Sequence, residues 1–123
     1  APGNLRADYV LPRKNLRILD SYAIPEALDE SFTVEDHGIL SVHEVKTDPR
    51  ANVNRAYISY YNAGARVVNF SKKKGIQEVG FFIPEGGVHF WGTFPHRLGN
   101  SQGAPLLLFS DRDSGLYILR YTG

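Results

Sequence analysis

AYISYYNAGARVVNF, residues 56–70, decides how this chain is read. Apolar and β-branched residues flank Asn62-Ala63-Gly64, so the stretch reads as a strand, a tight turn and a second strand. The same plan returns at residues 107–121, LLFSDRDSGLYILRY. With Gly64 laid on Gly115, Ser59 falls on Ser110, Asn62 on Asp113, Val67 on Ile118 and Val68 on Leu119. A unit that recurs within so short a chain marks a repeat architecture.

The repeat extends outward from these two hairpins. SVHEVKTDP (41–49) corresponds to GVHFWGTFP (87–95), which places His43 on His89, Thr47 on Thr93 and Pro49 on Pro95. LRILDSYAIP (16–25) resembles the stretch 76–84, both closing on Ile-Pro-Glu. The expected strands are therefore 16–24, 39–45, the two of residues 56–70, 76–83, 88–93 and two within 106–121. Residues 1–15 read as an extended arm with a short strand near Tyr9-Val10-Leu11, and 16–123 as the repeat region. The acidic stretch 25–36 reads as a solvated loop, with room for a helical turn over 26–29 because Pro25 suits a helix start. Residues 47–54 and 95–104 read as loops.

One four-stranded unit, a second unit of three strands and an orphan strand of the fourth kind amount to about two blades of a β-propeller. Propellers close with about 4 to 8 blades. Two blades leave faces that a repeat unit cannot cover by itself, so the chain is expected to be part of a larger or oligomeric ring. The alternative is a small β-sandwich whose sheets cover each other.

Composition agrees with an all-β domain. The chain has 123 residues, enough for one domain, with seven Tyr, seven Phe and twelve Gly. Formal net charge is +1, and Lys72-Lys73-Lys74 is the sole cationic run, so no basic face points to nucleic acid. No apolar run nears the ~20 residues that span a bilayer. Cysteine is absent, which excludes disulfides, thiolate metal sites and a Cys nucleophile. Methionine is absent even at position 1, and the Ala1-Pro2-Gly3 start suits removal of a signal peptide. The expectation is a processed product or an excerpt.

SVHEVKTDPR, RAYISYYNAGARVVNFSKKKGIQEVGFFI and SDRDSGLYILRYTG together resemble the C-terminal part of bacterial LVIVD-repeat β-propeller proteins. Asn69 stands where that repeat has Asp. The resemblance implies an exported or surface-associated propeller: extracellular, periplasmic or at the cell surface. It carries over no catalytic residue.

His43 and His89 occupy equivalent places at the start of a blade's first strand, which lines the channel of a propeller. They are candidate ligands of a divalent metal, since imidazole suits Zn, Cu or Fe; the competing reading is hydrogen bonding to a neighbouring blade. Asp111 and Asp113 fall on a turn, where they either bind Ca²⁺ or simply build the bend, with Gly115 supplying positive φ. Tyr60, Tyr61, Trp91 and His96 belong to an aromatic-rich element suited to sugar or protein contact. Blade packing competes for these rings, and Trp91 in particular reads as core. No GxSxG, P-loop or HExxH motif occurs. Three functions follow: a non-catalytic scaffold or binding module working through residues 48–54 and 95–104, a metal-dependent enzyme using the two histidines, and a lectin-like oligomer.

Overall fold

A computed structural model describes residues 17–99 and 102–123. The expected N-terminal arm lies outside the described residues. Among the described residues seven strands form: β1 (Glu44–Thr47), β2 (Arg55–Ser59), β3 (Ala65–Ser71), β4 (Gly75–Phe82), β5 (Phe90–His96), β6 (Leu106–Asp111) and β7 (Gly115–Arg120). They make two antiparallel sheets, β1-β2-β3-β4 and β5-β6-β7, each wound in sequence order. The fold is all-β, with four strands in the first sheet and three in the second.

Both faces of the first sheet are apolar. Tyr57, Ala65 and Val67 point to one side and pack with Phe90, Leu107 and Phe109 of the second sheet. Ala56, Ile58 and Val68 point to the other, where Ile24 covers them with Tyr22, Ala27 and Leu40. Alternation along each strand produces this division, because successive side chains leave a strand on opposite faces. Tyr57, Phe90 and Phe109 are fully buried. Phe90 lies 5.1 Å from Phe109 and stands edge-on to Tyr117 at 5.3 Å, an arrangement that suits the ring quadrupoles.

The repeat shows how the sheets stack. Ala56, Ile58 and Val68 of the first sheet correspond to Leu107, Phe109 and Leu119 of the second. The former group faces away from the second sheet, whereas the latter faces the seam. Tyr57, Ser59 and Val67 at the seam correspond in turn to Leu108, Ser110 and Ile118, and Ile118 is 61% exposed. The sheets are therefore stacked head to tail, each showing the same face in the same direction.

Four expectations need correction. Residues 17–24 form no strand; they cross the outer face of the first sheet, where Asp20 accepts from Ile76 N at 2.7 Å and Tyr22 O–H bonds Glu78. The β-rich composition of this stretch is satisfied by packing against a face rather than by joining a ladder. The expected strand at 39–45 starts only at Glu44, because Tyr61 gives its backbone groups to Phe90 of the other sheet and leaves residues 39–42 without a ladder partner. β5 runs past Pro95 to His96: it is an edge strand, and an edge tolerates the missing N–H. The acidic stretch, expected as a solvated loop with room for a turn over 26–29, holds a 3₁₀ turn at Pro25–Leu28 and one helical turn, α1 (Val34–His37). Thr33 caps α1 by accepting from Asp36 N.

Asp48 closes the far end of β1. Its carboxylate is buried, accepts from Arg50 Nε at 2.9 Å and Nη2 at 2.8 Å, and from Tyr57 O–H at 2.5 Å. Burial pushes its pKa up, but the hydrogen bonds from Arg50 and Tyr57 outweigh this and bring it to about 2.

Phe109→Ala is expected to lower the unfolding free energy by about 3–5 kcal/mol in urea titration, since it empties the centre of the seam. Asp48 has a folded pKa below its unfolded value, so its contribution is complete above pH ~4 and disappears as pH falls through ~2. Urea titrations from pH 5 to pH 2 should show wild type losing on the order of 2 kcal/mol more than Asp48→Asn over that window.

Candidate functional site

At the other end of β1 and β5, the sequence places rings and charges on one spot. The spot is made by a turn. Tyr61 takes φ 43° and Gly64 φ 83°. A Cβ on Gly64 would meet the Phe82 carbonyl at 2.3 Å, so glycine is required there by space as well as by φ. The left-handed backbone of Tyr61 turns both its polar groups to Phe90, donating at 3.2 Å and accepting at 3.1 Å. A left-handed tyrosine costs about 1–3 kcal/mol, offset here by a bridge that ties the two sheets together. Asn62 completes the junction: its Oδ1 accepts from Ile39 N at 2.8 Å and its Nδ2 donates to Val88 O at 2.9 Å.

On this frame sits a ring cluster. His43 lies on Trp91 at 3.9 Å, tilted by 35°. Tyr61 meets His43 edge-on at 5.4 Å, His89 at 5.2 Å and Trp91 at 6.0 Å. The Arg112 guanidinium stands 5.3 Å over the Trp91 ring, within reach of a cation–π contact. His89 Nδ1 is 3.9 Å from Asp113 Oδ2, and its Nε2 is buried without a partner among the described residues.

Asp111 holds the second turn beneath the cluster. One oxygen accepts from His89 N at 2.6 Å; the other accepts from Ser114 N at 2.9 Å and from the Ser114 hydroxyl. Although burial raises its pKa, the bonds from Ser114 and His89 hold it below the ordinary carboxylate range. Its oxygens are thus engaged in building the bend, and Asp113 is exposed.

The structure brings together His43, Tyr61, His89, Trp91 and Asp113 of the residues singled out from sequence. It separates two others. Tyr60 is buried on the far face of the first sheet, its hydroxyl accepting from Ile24 N at 3.3 Å. His96 is exposed at the opposite end of β5, near Phe94. Trp91 is not core: it is 46% exposed, turned out by the bulge between Phe90 and Gly92. Residues 48–54, expected to be a working loop, lie at the other end of β1 from the cluster. Among the described residues no three His, Cys, Asp or Glu side chains are grouped to hold a metal ion; His43 and His89 instead each pack on Tyr61.

Arg112 and Glu44 were missed. Arg112 is the repeat counterpart of Tyr61, and that equivalence is the signal that points to it. Glu44 Oε2 accepts from Thr93 N at 2.8 Å, and its other oxygen pairs with Lys46 at 2.8 Å. The Lys46 bond first, and then the Thr93 N–H, lower its pKa. Nothing local in EVKT announces that this carboxylate reaches the neighbouring sheet. What the arrangement offers chemically is a half-exposed indole, two imidazoles and a guanidinium on a rigid double turn: stacking surface and hydrogen-bonding edges.

Compared with protein-family models, with curated proteins and with solved structures, the chain matches none.

Asp111→Ala leaves the His89 N–H and Ser114 without their acceptor. A loss of about 1–3 kcal/mol is expected, read by thermal melting, with Asp113→Ala changing stability by less than about 0.5 kcal/mol because that residue is on the surface.

Proposed function

We propose that the chain is a pair of adjoining β-propeller blades of the LVIVD-repeat kind, acting as a non-catalytic, exported scaffold or binding module within a larger assembly. Head-to-tail stacking of the two sheets is the observation that carries this reading. Propeller blades succeed one another by a repeated operation that brings the front of one against the back of the next. In a sandwich the outer faces are solvated and alternate polar with apolar. Here the outer face of the second sheet carries exposed Phe94, Leu116 and Ile118, which supports the blade over the sandwich. The LVIVD resemblance supports export, and no helix among the described residues is long and apolar enough to cross a membrane.

Recognition sits at the ring cluster, on turns that a rigid scaffold presents. The partner is a protein segment or small molecule with a planar or apolar group for Trp91 and His43, and an acceptor for Arg112. Trp91 is the single tryptophan of the chain, so its fluorescence reports this spot alone.

Titration with peptide and saccharide panels should find a member that shifts the Trp91 emission. His43→Ala and Arg112→Ala should each weaken that binding at least tenfold with the melting temperature unchanged. If no member of either panel moves the emission and both variants melt well below wild type, the cluster is structural and the binding reading fails.

A further inference from the structure

The stack of two sheets has one open face and one partly covered face. At the second sheet, the rows Phe94–Leu108–Ile118 and Gly92–Ser110–Leu116 form the outer face. Phe94 is 55% exposed, and Leu116 and Ile118 61% each. At the first sheet, residues 22–40 cover only part of the outer face. Beside them lies an apolar groove of about 350 Å³, lined by Val42, Val45, Thr47, Ile58 and Phe70 among others; Val45 is 50% exposed.

The seam inside the chain shows how such surfaces pair. There, Tyr57, Ser59 and Val67 of the first sheet meet the second sheet through β5 and its neighbours. Ser59 accepts from Glu44 N at 3.1 Å and donates across the seam to Trp91 O at 2.7 Å. Part of this seam has its counterpart at the open ends; Ala56 and Ile58, which answer Leu107 and Phe109, are already covered by residues 22–40. Leu108, Ser110 and Ile118 are the repeat equivalents of Tyr57, Ser59 and Val67. Val45 and Thr47 are the equivalents of Trp91 and Thr93. Ser110 already accepts from Gly92 N at 2.9 Å, as Ser59 does from Glu44, and its hydroxyl donates to nothing among the described residues.

We propose that a second copy of this chain docks head to tail, seating its Val45 groove on the Leu108, Leu116 and Ile118 face and taking the Ser110 hydroxyl on its Val45 carbonyl. This rests on the reading of the two sheets as blades. The interface is heterologous, so it either closes into a ring or runs on as a filament. With two sheets per chain, closure at about 4 to 8 sheets takes two to four copies. This occupant is favoured because the chain carries both the Leu108–Ser110–Ile118 row and an apolar groove on the face that answers it, and its own seam joins the equivalent row, Tyr57–Ser59–Val67, to the next sheet.

The test is sedimentation equilibrium of the whole chain over a wide concentration range, with Ile118→Glu and Val45→Glu. Both residues are half-exposed or more, so circular dichroism should show wild-type folding; Leu116→Lys replaces Ile118→Glu if it does not. Wild type should associate to a mass two to four times that of one chain, and each variant alone should be monomeric. Mixing the two variants should give a 1:1 dimer that grows no further, since one good face of each remains. A wild type that stays monomeric overturns the proposal. So does an association that survives Val45→Glu, which would mean a two-fold contact between like faces. Ser59→Ala separates this from the blade reading: if the wild type is monomeric but Ser59→Ala lowers the melting temperature while Ser110→Ala does not, the intrachain seam stands and only self-docking fails.

Discussion

The Ser59 hydroxyl stands where the two sheets are joined, fully buried, accepting from its own sheet and donating to the backbone of the next. A buried hydroxyl is best satisfied by a short bond, and the 2.7 Å bond to the Trp91 carbonyl favours the position in which that carbonyl lies over Ser59. Around this point the contact is apolar: Tyr57, Phe90, Leu107 and Phe109 supply the burial, and the serine supplies the register. The Glu44 bond to Thr93 N and the Tyr61 bridge to Phe90 add two more fixed points on the same edge. Burial alone would hold two sheets together in many slips; these polar points select one.

That selection also builds the ring cluster. Phe90 is anchored by Tyr61, and Trp91 follows it on a bulge. The bulge is what releases the indole from the alternation that would otherwise bury it. His43 enters beside it because His43 N bonds Ser59 O at 2.9 Å, at the last rung of the β1–β2 ladder. The candidate site is thus a by-product of the seam: the residues that stop the ladders and hand their backbone groups to the other sheet are the ones that aim the rings outward.

Much of this was legible in the chain. The repeat placed the hairpins, the count of four strands and then three, and the equivalence of His43 with His89 and of Ser59 with Ser110. What it could not place was the use of backbone groups between sheets. Residues 17–24 carry strand-like composition, yet composition reports burial, and Ile24 is buried against a face rather than in a ladder. Trp91 sat on an apolar strand and read as core; its exposure depends on a one-residue register shift that no side-chain pattern encodes. Pro95 read as a strand end, because its tolerance depends on β5 lying at an edge, which is a property of the sheet order. Tyr60 and His96 looked like members of an aromatic element and were separated by the alternation of side chains and by the length of β5.

The residues aligned between the two sheets differ in a manner that fits their different neighbours. Tyr57, whose hydroxyl reaches Asp48, is answered by Leu108, and Ala65 by Leu116. The seam position of the first sheet is occupied by a small residue where Phe90 and its neighbours must fit, while the outer position of the second sheet carries a larger aliphatic one. Phe94, Leu108, Leu116 and Ile118 lie side by side as one apolar patch on that face. Keeping large side chains in water has a cost in solubility and invites unspecific association. Such a face is understandable if packing acts on it as it acts on the seam.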